Sequence, residues 1–108
     1  MRPTDAWLAI KATLRRRVGV REYNEWVHGG RLLFVLGGDT LLIAFPPSGR
    51  ILFKARGRLQ LMRHLAAQSG FGLVLTVYPD DWQKQRIRED AGYELAFMDP
   101  EPEDKEAA

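Results

Sequence analysis

Val20-Arg21-Glu22-Tyr23-Asn24-Glu25-Trp26-Val27 is the stretch around which the rest of the chain arranges itself. Read as a helix, it places Val20, Tyr23 and Val27 on one stripe with Trp26 beside them, while Glu22 and Glu25 point elsewhere. Gly29-Gly30 stops it, and two short apolar runs follow. A second helix is expected from about Val20 to His28, with the preceding helix laid alongside it and a small sheet under both.

Upstream, Trp7, Ile10, Leu14 and Val18 recur at helical spacing and Leu8 falls off that stripe. Thr4 is placed to cap this first helix, Asp5 suits its first turn, Arg15-Arg16-Arg17 its last, and Gly19 its end. Downstream, Arg31–Leu36 and Leu41–Phe45 are apolar and joined by Gly37-Gly38-Asp39-Thr40, a good hairpin linker. Neither run alternates cleanly. Pro46-Pro47-Ser48-Gly49 breaks the chain. Leu52, Ala55, Leu59, Met62 and Ala66 then mark one amphipathic helix over Arg50–Gln68, with Gly57 inside it as a kink or close contact. Phe71–Tyr78, rich in β-branched and aromatic residues, is the best strand. The order α-α-β-β-α-β predicts an α+β domain over residues 1–79. Its three-stranded sheet carries the helices on one face, a KH-like arrangement.

Residues 80–108 differ in character. Asp81 is placed to cap a short helix over Trp82–Ala91, Tyr93–Met98 is apolar, and the acidic, Pro-containing end from Asp99 is expected to be disordered. Charge divides at the same place. Up to Tyr78 there are 12 basic and 4 acidic residues; from Pro79 there are 4 basic and 10 acidic. A basic globule with an acidic tail favours an anionic partner, or a tail that folds back over the basic part.

The chemistry screen disfavours an enzyme. There is no cysteine, His28 and His64 belong to different helices without an acid cluster, and Ser48 and Ser69 sit in turns outside any nucleophile motif. No glycine pattern matches a phosphate loop, so neither cofactor nor metal is expected. No apolar run is long enough for a membrane span, and the N-terminus lacks a signal peptide's apolar segment. With no cysteine to oxidise, a cytoplasmic setting is expected.

Trp7, the segment Arg21-Glu22-Tyr23-Asn24-Glu25-Trp26-Val27, an apolar hairpin ending in Phe45-Pro46, an amphipathic helix and a closing strand together resemble the N-terminal domain (domain I) of the bacterial replication initiator DnaA. The resemblance spans about Asp5 to Tyr78. It implies a KH-like fold used for protein docking: self-association through the first helix, and contact with the replicative helicase or initiation regulators. Trp7 falls on the self-association position and Glu22 on an acidic helicase-contact position. Pro46, Pro47 and Gly49 occupy the turn that carries further helicase contacts. Here the family's Pro-Asn turn is Pro46-Pro47, and Gly49 replaces the aromatic that family members carry just beyond it. From the residues alone Trp7 reads as core before interface, the resemblance brings the two readings level, and Glu22 reads as a solvated acid before a contact residue. The chain is either a stand-alone relative or the N-terminal piece of a longer initiator. The alternative function is a KH-like single-stranded nucleic-acid binder using Arg15, Arg16, Arg17, Lys54, Arg56 and Arg58 for weak phosphate contacts. No G-x-x-G occurs to clamp a backbone.

Overall fold

A computed structural model describes residues 1–78; the short helix, apolar run and acidic end expected beyond Pro79 lie outside the described residues. The α+β class and the element order read from the sequence are found. Helix α1 (Pro3–Glu22) is followed by a π-helical turn (Tyr23–Val27), strands β1 (Arg31–Leu36) and β2 (Thr40–Phe45), helices α2 (Gly49–Gly57) and α3 (Leu59–Gln68), and strand β3 (Gly72–Val77). The sheet order is β1-β2-β3; β1–β2 is antiparallel and β2–β3 parallel. A parallel pair needs a crossover, and α2 with α3 provides it.

The helical boundaries agree with the sequence expectation at Gly19 and differ from it in three places. Pro3, not Thr4, opens α1: its fixed φ suits the first helical position, and Arg2 is the cap residue, its side chain making no capping bond to the backbone. As expected, the first helical piece stops at Gly19, which takes φ +90° and ψ 162°, and the chain turns helical again at once. The second helical piece therefore finishes α1 at Glu22 and continues as the π turn. Val20 is 52% exposed and does not join the stripe assigned to it. Finally, Arg50–Gln68 is two helices, because Arg58 (φ −109°, ψ 10°) separates α2 from α3. The stripe Leu52–Ala55–Leu59–Met62–Ala66 survives this break, and all five residues pack in or against the core.

One apolar core lies between the helices and one sheet face. Ala6, Trp7, Ile10 and Leu14 of α1 and Trp26 and Val27 of the π turn meet Leu32, Leu41, Ile43, Phe45 and Leu73 of the sheet, closed by Ala55, Met62, Leu65 and Ala66. A bulge in β1 between Leu32 and Phe34 explains the poor alternation of that strand. Leu32 and Val35 face the core, whereas Leu33 and Phe34 both join a second cluster with Leu42, Ala44 and Tyr78. The hairpin linker turns through Gly37 and Gly38 at φ +59° and +84°. At Gly30 the backbone passes close to the core: a Cβ there would lie 2.6 Å from Phe45 Cε1 and 3.1 Å from Trp7 Cζ2.

Candidate functional site: the π turn and the face of α2

The π turn and α2 are joined by charge. Glu22 accepts from Arg58 Nε at 3.0 Å and Arg58 Nη2 at 3.2 Å, and also from Trp26 Nε1 at 3.0 Å. One carboxylate thus ties the end of α1 to the buried indole of the π turn and to the junction between α2 and α3. The Arg58 hydrogen bond, opposed by partial burial and aided by the Trp26 bond, holds the Glu22 carboxyl below its ordinary range, and Glu22 in turn raises the Arg58 guanidinium. One turn on, Glu25 pairs with Arg50 at 3.0 Å.

The backbone end of the π turn is closed by side chains. Trp7 Nε1 donates to the Gly30 carbonyl at 3.2 Å, Lys11 Nζ donates to the carbonyls of Gly30 and His28 at 3.2 and 3.3 Å, and the Tyr78 hydroxyl donates to the Gly29 carbonyl. The carbonyls of His28, Gly29 and Gly30, where the chain leaves the turn, thus all find side-chain donors. Lys11 also stands 5.8 Å from the Trp7 ring centre.

Helix α2 begins beyond Pro46-Pro47. Ser48 caps it, its hydroxyl accepting from Ile51 N at 3.4 Å. Its outer face carries Phe53, 76% exposed, which with Met1 is among the most exposed large apolar side chains described. Gly49 lies one turn before Phe53 and Gly57 one turn after. A Cβ at either glycine would meet nothing within 4 Å. Phe53 therefore has only glycine four residues before and after it on its own helix, with Arg50 and Arg56 three residues away on either side, and 76% of the residue is exposed.

The site residues inferred from the sequence fall differently. Trp7 is 0% exposed, bonded to Gly30 and packed in the core, so it has no surface to give a partner; the stripe Trp7–Ile10–Leu14 is a core stripe. Glu22 is partly exposed, but both its oxygens are used internally. Pro46 is half-buried, with Gly29 against it, whereas Pro47 and Gly49 are exposed at the start of α2. Thus Glu22 and the Pro46–Gly49 turn belong to the joined π-turn and α2 unit, and Trp7 lies beneath it. Phe53 was missed by the sequence reading. Its signal was present, since an aromatic next to Leu52 but off the Leu52–Ala55–Leu59 stripe must face outward from a helix.

The six basic candidates stand on different elements. Arg15, Arg16 and Arg17 are exposed on α1, where Arg15 lies 5.9 Å from the Tyr23 ring centre and Arg16 donates to Thr13. Lys54 and Arg56 are on α2, and Arg58 is committed to Glu22. Arg15, Arg16, Ala12 and the exposed Val20 line an open depression beside the Gly19 break. Among the described residues no group of three metal-binding side chains comes together, and no helix is long and apolar enough to cross a membrane. Compared with known proteins, the chain matches no family model, no curated protein and no solved structure.

Proposed function

We propose that this protein is a docking module of the kind its sequence resembles, a relative of domain I of DnaA. It would act in the cytoplasm, in replication initiation or its regulation, by contact with the replicative helicase or an initiation regulator. The observation that carries the reading is Phe53, an aromatic ring with 76% of its surface exposed between two glycines, on the helix that follows the Pro46–Gly49 turn. Isolated apolar residues are common on surfaces, but open aromatic rings are the usual anchors of protein interfaces. Gly49, which stands where the family carries an aromatic, and Phe53 are one helical turn apart, so the ring is offered from the same face. The Glu22–Arg58 and Glu25–Arg50 pairs fix α2 on the π turn and give the ring a rigid support.

Self-association through the first helix, if it occurs, uses the exposed side of α1, where Leu8 is 49% exposed, and not Trp7. Nucleic-acid binding is the competing reading. Arg50 and Arg58 are already neutralised by carboxylates, which leaves fewer cations for phosphates near α2. The deciding experiment is parallel calorimetric titration of the full chain with the replicative helicase and with a single-stranded oligonucleotide at low salt. The docking reading expects saturable heat with the helicase. Binding to the oligonucleotide alone, weakening steeply with salt, would replace it with the nucleic-acid reading.

A further inference from the structure

The surface around the Gly19 break carries charge that the fold leaves unused. Arg15, Arg16, Arg17 and Arg21 are all exposed within seven residues of chain. Other arginines meet acids: Arg2 pairs with Asp5, Arg50 with Glu25 and Arg58 with Glu22. Among the described residues no carboxylate pairs with any of the four around Gly19. Two of these four are nevertheless held in place. The Arg15 guanidinium stands 5.9 Å from the Tyr23 ring centre, and Arg16 Nη2 donates to the Thr13 hydroxyl at 3.2 Å. Most of the five N–H donors on each guanidinium stay available to a ligand. Arg15 and Arg16 also share an open depression of about 390 Å³ with Ala12 and Val20. Ala12, Arg15 and Arg16 stand at helical spacing on one face of α1. Val20 reaches the depression from beyond the break and is half exposed. The depression thus combines a guanidinium rim with apolar lining from Ala12 and Val20.

We infer that this depression docks an acidic amphipathic peptide segment of a partner protein, with carboxylates on Arg15 and Arg16 and an apolar side chain against Ala12 and Val20. Charge complementarity selects the acid. Guanidinium forks bind carboxylates through paired parallel bonds and give up their water readily, and arginine clusters are a recurrent means of capturing acidic motifs. The apolar lining selects the second property. A nucleic-acid strand would satisfy the arginines through its phosphates but would leave Val20 and Ala12 without an apolar counterpart. The volume falls in the range of pockets that hold organic groups, about 300–1,000 Å³, rather than that of a single ion. A two-fold related copy of this chain would bring its own four guanidiniums to the same place, and like-charge repulsion opposes that. The site stands on α1 and on the segment just beyond Gly19, apart from Phe53 on α2, and does not depend on the role given to that ring.

Fluorescence anisotropy of the full chain tests this with three labelled probes: a helical peptide carrying leucine and glutamate on adjoining faces, the same peptide with serine for every leucine, and an oligothymidylate of equal charge. Saturable binding of the leucine peptide is expected, at least about fivefold tighter than that of the serine peptide and tighter than that of the oligothymidylate. Arg15→Glu combined with Arg16→Glu is expected to weaken it at least about tenfold, and Val20→Ser at least about threefold. These side chains are exposed, and far-ultraviolet circular dichroism checks that each variant is folded. Should the charge-reversed variant unfold, Arg15→Gln with Arg16→Gln decides, with a loss of at least about threefold expected. Phe53→Ala is expected to leave the affinity within about twofold. Absence of saturable binding would overturn the inference. So would equal affinity for the two peptides, which would leave only a surface for polyanions, or tighter binding of the oligothymidylate, which would assign the arginines to nucleic acid. A loss on Phe53→Ala as large as that on the arginine variants would move the site to α2 and overturn it as well.

Discussion

Removing the Glu22 carboxylate tests how the π turn and α2 are held together. Its partner Arg58 is 36 residues away in sequence and bonds it through two nitrogens. The Glu22 side chain is 20% exposed and that of Arg58 45%, so the pair stands between the surface and buried limits. Fully exposed pairs contribute about 0.2–1 kcal/mol, whereas truncating one member of a buried pair costs about 3–5 kcal/mol. Two charge-assisted bonds in a half-wet setting give a coupling of about 1 kcal/mol. Glu22→Ala also leaves the Trp26 indole N–H without its acceptor, so its total cost is about 2 kcal/mol. Glu22→Gln keeps an acceptor for that indole and costs about 1 kcal/mol. The assay is urea unfolding followed by tryptophan fluorescence, on the wild type, Glu22→Gln, Arg58→Gln and the double variant. At a slope of about 1–2 kcal/mol per molar urea, each kcal/mol moves the midpoint by about 0.5–1 M. A coupling energy under about 0.3 kcal/mol would refute the proposed tie. The pH dependence has a definite sign. Glu22 is held below its ordinary range in the folded state, so its contribution is complete above the unfolded value and is lost as pH falls through the lowered folded one. The stability gap between wild type and Glu22→Gln is therefore flat near neutrality and closes in acid; a gap that widened in acid would contradict the assignment.

Three further outcomes follow from the packing. Trp7→Ala empties a fully buried site and is expected to cost about 3–5 kcal/mol, read by the same unfolding assay; a loss of self-association with stability intact would instead restore a surface role for Trp7. Gly30→Ala forces a methyl group onto Phe45 and Trp7 and should cost about 1–3 kcal/mol. Phe53→Ala should change stability by no more than about 0.5 kcal/mol, as its ring packs little, and a larger loss in thermal unfolding would show that the ring is structural.

Much of this architecture is legible in periodicity. The Trp7–Ile10–Leu14 stripe, the paired apolar runs around Gly37-Gly38 and the strand after Gly70 all encode local geometry, and local geometry repeats at fixed spacing. The break at Arg58 is not legible in that way, because the apolar stripe runs through it and only the backbone at one residue departs from helix. The bulge at Leu32–Phe34 left a trace, the loss of clean alternation in β1, although alternation alone does not say which residue is extra. In the candidate site, Glu22 and the Pro46–Gly49 turn could be singled out by resemblance to domain I of DnaA. That Glu22 spends both oxygens on Trp26 and Arg58 could not, because the contact joins elements 36 residues apart. Of the two aromatics, Trp7, read as core or interface, is buried, and Phe53, to which the sequence reading gave no part, is exposed. A large aromatic on a stripe is core, and one beside a stripe is exposed, and both spacings were present in the sequence.

The most direct test of the docking account is calorimetric titration of the replicative helicase with wild-type chain and with Phe53→Ala, both verified as folded. The account predicts saturable binding by the wild type and a loss of at least about tenfold in affinity with Phe53→Ala, the scale of an interface anchor. Equal affinity for the two proteins, or no binding of the helicase by either, would contradict it.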